Sequence, residues 1–222
     1  MPVTLSAIRA AARRISDGVV VTPCPASIPL SELTGARVYC KLDNLQRTGS
    51  FKERGVIAAS AGNHALGLAY HGQLLKIPVT VVMPDYAPLI KVTTCRRLGA
   101  RVVVKGVDFA AARAEADALV AAEKLTYIHG FDDDAIIAGQ GTMALEILRQ
   151  VPDVEAIVAP IGGAGLIAGL AVAVKALRPK VKIIGVESRA TASFSAALKN
   201  NGPITIPRRS TLADGLAVLR VG

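Results

Sequence analysis

The chain has 222 residues, 51% of them hydrophobic and only 4% aromatic, no tryptophan, and a formal charge of +9. The basic residues come as isolated pairs (Arg13-Arg14, Arg96-Arg97, Arg208-Arg209), and aromatics are too few to stack bases, so we expect no nucleic-acid partner. The longest apolar runs fall short of the about 18 residues of a membrane span, and no signal-peptide core precedes Arg14, so we expect no membrane partner either. Three widely spaced cysteines, Cys24, Cys40 and Cys95, argue against a disulfide framework or a zinc cluster and for a reducing, cytoplasmic setting. A chain of this length buries roughly 70% of its unfolded surface, in one large domain or two small ones.

In chain order, Thr4 to Ile15 reads as a helix with Leu5, Ile8, Ala12 and Ile15 on one face. Thr22-Pro23 and Ile28-Pro29 mark extended chain, and Val38 to Leu42 a short strand. Phe51 opens a helix, and Val56 to Ala59 is an apolar run ending at Ser60-Ala61-Gly62-Asn63. Then come a helix over His64 to Tyr70, a strand over Val79 to Met83, a helix over Leu89 to Leu98 and a strand over Arg101 to Val104. A helix over Phe109 to Lys124, a brief strand over Tyr127 to His129 and a helix over Gly141 to Gln150 follow. Last are a strand at Ala156 to Ala159, a helix at Leu166 to Leu177 and a strand at Val181 to Val186. Alternation of this kind predicts an α/β fold with parallel sheet. One join is short: Phe51 to Ala59 leaves too few residues for the dozen or so that separate parallel strands.

Gly162-Gly163-Ala164-Gly165-Leu166 follows a strand and opens a helix. Free N–H groups and the positive end of the helix dipole bind phosphate there, and small residues let the ligand approach. A plain strand-to-helix turn is the bland alternative. A dinucleotide site is the rival: Gly163-x-Gly165-x-x-x-Gly169 is one residue longer than the usual spacing, and Glu187 ends the next strand where a ribose-binding acid belongs. Lys52, behind Thr48-Gly49-Ser50 and beside Phe51, favours an aldehyde cofactor, because lysine is the residue that condenses with one. Asn63 sits at the carboxyl end of an apolar strand, placed to meet a cofactor oxygen. Ser60, Asn63 and His64 can hold a substrate carboxylate or, as blandly, cap a helix. His71 and His129 lack spaced partners and read as structural, and Asp132-Asp133-Asp134 reads as a loop or helix start rather than a metal site.

Lys41-Leu42-Asp43-Asn44-Leu45-Gln46-Arg47-Thr48-Gly49-Ser50-Phe51-Lys52 closely resembles the cofactor-lysine segment of the threonine dehydratases (threonine ammonia-lyases). Ser60 to Ala65 is similar to that family's asparagine loop, and Pro160 to Gly169 to its phosphate loop. Phe131-Asp132-Asp133, Ala138 to Thr142 and Ala213-Asp214-Gly215 also resemble family segments. These are fold-type II pyridoxal phosphate enzymes, related to serine dehydratases and serine racemases. The resemblance implies two open parallel-sheet α/β domains of the tryptophan synthase beta-like type. Residues 1–54 and 133–222 would form a large cofactor-binding domain, incomplete because the family's C-terminal part is missing from this sequence, and 55–132 a small domain inserted in it. It further implies pyridoxal 5'-phosphate as cofactor, an amino-acid substrate and a homo-oligomer, dimer or tetramer. Lys52 would carry the cofactor and move the Cα proton, Phe51 pack on the pyridine ring and Asn63 bond its hydroxyl. Gly162, Gly163, Ala164, Gly165 and Leu166 would bind the phosphate. The expected activity is deamination of L-threonine, with L-serine a further substrate. Serine racemase, another lyase of this fold and an inactive ligand-binding fragment stay open as alternatives. Two departures bear on these: Ala61 stands where racemases place a serine base, and Ser193 where their metal site has a second acid after Glu187.

Overall fold

A computed structural model describes residues 3–54, 62–107, 109–207 and 209–222. Helix α1 (Leu5–Arg14) starts at Thr4, whose hydroxyl accepts from the Ala7 N–H at 3.2 Å, and Ile8 and Ala11 face inward. Beyond it the chain runs out and back. Backbone bonds from Ser27 to Val38, Cys40 to Pro25 and Leu42 to Pro23 pair the two arms around an antiparallel Ala26–Tyr39 bridge. The expected strand at Val38 to Leu42 is therefore an isolated bridge, outside both sheets. Between the arms lies α2 (Ile28–Thr34), where extended chain was expected. Pro29 sits in its first turn, where a missing N–H costs nothing, and Gly35 (φ +69°) ends it.

Among the described residues two parallel sheets follow, each of two strands. The first pairs β1 (Thr80–Met83) with β2 (Arg101–Val104), Thr80 opposite Arg101, and is flanked by α3 (Asn63–Leu75), α4 (Leu89–Arg97) and α5 (Phe109–Glu123). Ala65, Leu68, Val81, Met83 and Cys95 form its core. The second pairs β3 (Ala156–Pro160) with β4 (Lys182–Val186), Ala156 opposite Lys182. It packs on α6 (Asp134–Gln150) and α7 (Gly165–Leu177), with α1 laid across both helices. Leu170, Ala173 and Val174 of α7 and Ala144 of α6 are fully buried there, each large side chain contributing about 1.5–3 kcal/mol. A short helix, α8 (Ser193–Lys199), follows β4 and has no counterpart in the sequence reading.

Helices α6 and α7 touch backbone to backbone. A Cβ at Gly169 would stand 2.3 Å from the Ile137 carbonyl oxygen, and one at Gly141 would stand 2.8 Å from the Gly169 oxygen. Helix α6 begins seven residues before the expected Gly141, because Asp133 accepts from the Ala135 and Ile136 N–H groups at 2.8 and 3.2 Å. Here the acidic run is a helix start, one of the two readings, loop or helix start, that its sequence left open. Tyr127 to His129, expected as a strand, pairs with no strand among the described residues. Its alternate rings instead meet edge to face, Tyr127 on His129 at 6.3 Å and His129 on Phe131 at 4.5 Å. The short join after Gly55 falls outside the described residues.

The segment that leads to Lys52 is tied down by Lys41. Its Nζ donates to the Thr22 carbonyl (2.6 Å), Glu146 (2.6 Å) and Gln150 (3.1 Å), and the Gln150 amide donates to the same carbonyl at 2.9 Å. The Lys41–Glu146 pair is nearly out of water yet fully hydrogen-bonded, the condition under which a buried ion pair is tolerated.

Candidate active site

Lys52 lies on a single 3₁₀ turn, Phe51–Arg54, that rests against α3 and α6. Its amine donates to the Gly130 carbonyl at 2.6 Å. Burial pulls its pKa from 10.5 down to about 8, because a charged ammonium loses water there and no carboxylate among the described residues replaces it. Phe51 is half-buried against the core around α6 and α7, its ring centroid 5.5 Å from the Lys52 amine.

Helix α3 begins at Asn63, which is exposed, and carries His64 inward. His64 is 4% exposed, and among the described residues neither ring nitrogen has a hydrogen-bond partner. Burial first, then the nearby charges of Lys52 and His129, push its pKa down to about 3. It is therefore a neutral imidazole at ordinary pH, able to donate through one nitrogen and accept through the other. Its ring faces Gly130: a Cβ there would stand 3.4 Å from His64 Cδ2. Ser60, the remaining substrate-site expectation, and Ala61 lie outside the described residues.

The glycine loop follows β3. Ile161 still bonds to Val186, and then Gly162, Gly163 and Ala164 turn the chain into α7. Ala164 caps the helix in the left-handed region (φ +74°), a conformation that costs an L-residue about 1–2 kcal/mol. The first helical bond runs from Ala168 to Ala164. Among the described residues, no backbone N–H from Gly162 to Ile167 donates to a protein acceptor. The loop lies between Phe131, whose ring presses on Gly163, and the Gly215–Val218 stretch beside Gly162. Leu166 is buried, so of the five loop residues it offers its backbone only.

One three-residue turn joins the two halves. Gly130 holds Lys52, Phe131 covers Gly163 and Gly165, and the Asp132 N–H donates to His129 Nδ1 at 3.0 Å. The structure thus gathers Lys52, His64 and the glycine loop, while Phe51 turns toward the core and Asn63 stays at the surface. His129, read from sequence as structural, lies close enough to feel the charge of Lys52. The Gly130 carbonyl was invisible to sequence reading, since every residue carries one. Phe131 was marked only by its place in a family-like segment.

Glu187 departs from the dinucleotide alternative. Its two oxygens accept from the Phe194 N–H (2.7 Å), the Ser195 N–H (2.9 Å) and the Ser195 hydroxyl (2.6 Å), so it caps α8 and is not free for a ribose. Among the described residues, no three His, Cys, Asp or Glu side chains are grouped to hold a metal. A pyridoxal phosphate group fits what is present: a buried amine whose pKa is lowered to about 8 for the aldehyde and, among the described residues, a row of unpaired N–H groups at a helix start for the phosphate.

Comparison with known proteins agrees with this fit. The chain is 43% identical to the L-threonine ammonia-lyase of Thermotoga maritima over 99% of its length, and 42% identical to that of Geobacter sulfurreducens over 100%. It spans 59% of the length of each of these relatives. The Thermotoga match runs over 236 positions, more than the 222 residues here, so that relative carries internal residues this chain lacks. Among solved structures it matches threonine deaminase isoform 2 from Solanum lycopersicum (TM-score 0.92, 37% identity, 100% of this chain and 68% of that one). It also matches maize serine racemase (TM-score 0.95, 30% identity, 100% and 72%). The fold is therefore the α/β fold these enzymes share. With residues 15–222 matched by the family described as pyridoxal-phosphate dependent enzyme, the chain belongs to that family.

Proposed function

We propose that this chain carries the cofactor and substrate site of an L-threonine ammonia-lyase, which converts L-threonine, with L-serine a further substrate, to a 2-oxo acid and ammonia. The observation that carries the reading is the buried Lys52 amine, lowered to about 8 and bound to a turn that also packs on the unpaired N–H groups of the glycine loop. The curated relatives bearing that name, at 43% and 42% identity, supply the reaction.

The cofactor, when bound, withdraws the electrons left at Cα as its proton departs. The chain's own residues do the rest. Lys52 would hold the aldehyde end. An amine near pKa 8 is partly uncharged at neutral pH and so takes up the Cα proton, which an ordinary lysine does not. Gly162, Gly163, Ala164, Gly165 and Leu166 would hold the phosphate through N–H groups and the dipole of α7. Asn63 would meet the ring oxygen and Phe51 border the ring. Ser60, Asn63 and the neutral His64 would orient the substrate carboxylate by hydrogen bonds, His64 without a charge of its own. Residues 1–54 with 133–222, and 55–132, would be the two domains that meet at this site. We place the enzyme in the cytoplasm, as a homo-oligomer. Val158 (64% exposed) and Val186 (51%) lie on a parallel sheet face, a kind of surface that proteins bury.

The test is to supply the purified chain with pyridoxal 5'-phosphate. We expect a visible absorbance band and ammonia release from L-threonine, both abolished in Lys52→Ala. Conversion of L-serine mainly to D-serine would overturn the elimination reading in favour of a racemase. Binding of a nicotinamide dinucleotide, with no spectral response to pyridoxal 5'-phosphate, would overturn the cofactor reading.

A further inference from the structure

We propose that Phe131 is a positioning residue: its ring sets the distance between the Lys52 amine and the glycine loop. The proposal rests on reading that loop as the phosphate cradle. A Cβ on Gly163 would stand 2.1, 2.2 and 2.4 Å from the Phe131 ring carbons Cγ, Cδ1 and Cδ2, and one on Gly165 would stand 2.5 Å from the Phe131 carbonyl oxygen. Neither glycine has a positive φ. Conformation alone therefore does not require glycine at 163 or 165. Contact with Phe131 does, and the two glycines are the imprint of that residue on the loop.

The other end of the same peptide reaches the amine. The Gly130 carbonyl that accepts from Lys52 belongs to the peptide plane that ends in the Phe131 nitrogen. That plane is rigid, so a shift of Phe131 carries the carbonyl with it. The turn has no slack to absorb such a shift. His129 Nδ1 accepts from the Asp132 N–H, the His129 ring meets Phe131 edge-on at 4.5 Å (88°), and His64 lies against Gly130. The amine would hold the aldehyde and the cradle the phosphate of one rigid cofactor, so their separation has to match the distance between those two groups.

The experiment is a size swap in the whole chain, using Gly163→Ala, Phe131→Ala, Phe131→Leu and the double variant Gly163→Ala/Phe131→Ala. Two probes are titrated: pyridoxal 5'-phosphate, and pyridoxal, which has the same aldehyde and no phosphate. Gly163→Ala keeps every N–H yet is expected to weaken pyridoxal 5'-phosphate binding by about tenfold or more, and pyridoxal far less. Adding Phe131→Ala to it should recover most of that loss, because the new methyl then has room. Phe131→Ala alone should also shift the pH midpoint at which the lysine reacts with pyridoxal, and Phe131→Leu should restore it. Thermal unfolding of the cofactor-free proteins checks that each variant is folded. Losses that simply add in the double variant, or an equal loss for both probes, would overturn the role of Phe131 while leaving the cofactor site standing. Wild-type protein that binds neither aldehyde would overturn the site reading itself, and this proposal with it.

Discussion

Replacing Lys52 by methionine in the cofactor-free protein should make it more stable at neutral pH and leave it close to wild type at high pH. A lysine lowered from 10.5 to about 8 is harder to charge in the folded chain than in the unfolded one. At about 1.36 kcal/mol per tenfold in proton affinity, the folded protein carries a penalty of about 3 kcal/mol at pH 7. The unfolded chain binds the extra proton between pH 8 and 10.5, so wild-type stability rises with pH across that window and is flat below it. At pH 10 the penalty has shrunk to about 1 kcal/mol. Methionine removes the penalty at every pH, but forfeits the bond to the Gly130 carbonyl, worth about 1–2 kcal/mol. That loss is nearly the same at both pH values and cancels in the comparison. The stability difference between Lys52→Met and wild type should therefore be larger at pH 7 than at pH 10, by about 2–3 kcal/mol. Urea unfolding of both proteins at the two pH values measures it, with all other titrating groups common to both. A difference that stays constant within about 0.5 kcal/mol would refute a desolvated amine, and with it the physical basis for a reactive lysine.

His64 titrates in the opposite part of the scale. Its folded pKa of about 3 lies below the ordinary 6.5, so stability is full above pH 6.5 and is lost as pH falls toward 3. Between pH 7 and 5 wild type should lose about 2 kcal/mol more than His64→Leu, measured by urea unfolding, and parallel losses would show that His64 is hydrated. Gly169→Ala drives a methyl into the Ile137 carbonyl and the Gly141 nitrogen, at 2.3 and 2.6 Å. It should cost about 1–3 kcal/mol by separating α6 from α7, and a neutral result in denaturant unfolding would contradict that close approach.

Apart from the expected strand at Tyr127 to His129, the order of helices and strands from Leu89 to Val186 was legible in the sequence, because apolar spacing and the Gly and Pro stops act within a few residues of one another. Lys52 and the glycine loop stood out as candidates for the same reason: each is a local run of unusual composition. Where local signals conflicted, reading failed. Ile28-Pro29 suggested extended chain, yet a proline in a first helical turn looks the same from sequence, and only Gly35 with its positive φ marks where α2 stops. The α6 start was missed because Ala138 to Gly141 resembles a motif more than a helix.

The electrostatics of the site lay wholly in the tertiary structure. Lys52 meets a carbonyl 78 residues away, and its lowered pKa comes from burial by α3, α6 and that turn, none of them its sequence neighbours. Glu187 stood where a ribose-binding acid belongs, and the structure spends both its oxygens on α8. The glycines at 163 and 165 read as room for a ligand. Their crowding by Phe131 is a contact between residues more than thirty positions apart. Composition and spacing determine which groups this chain has and which short elements carry them. Which of those groups are charged, paired or pressed together depends on long-range packing, because desolvation and steric contact act through space rather than along the chain.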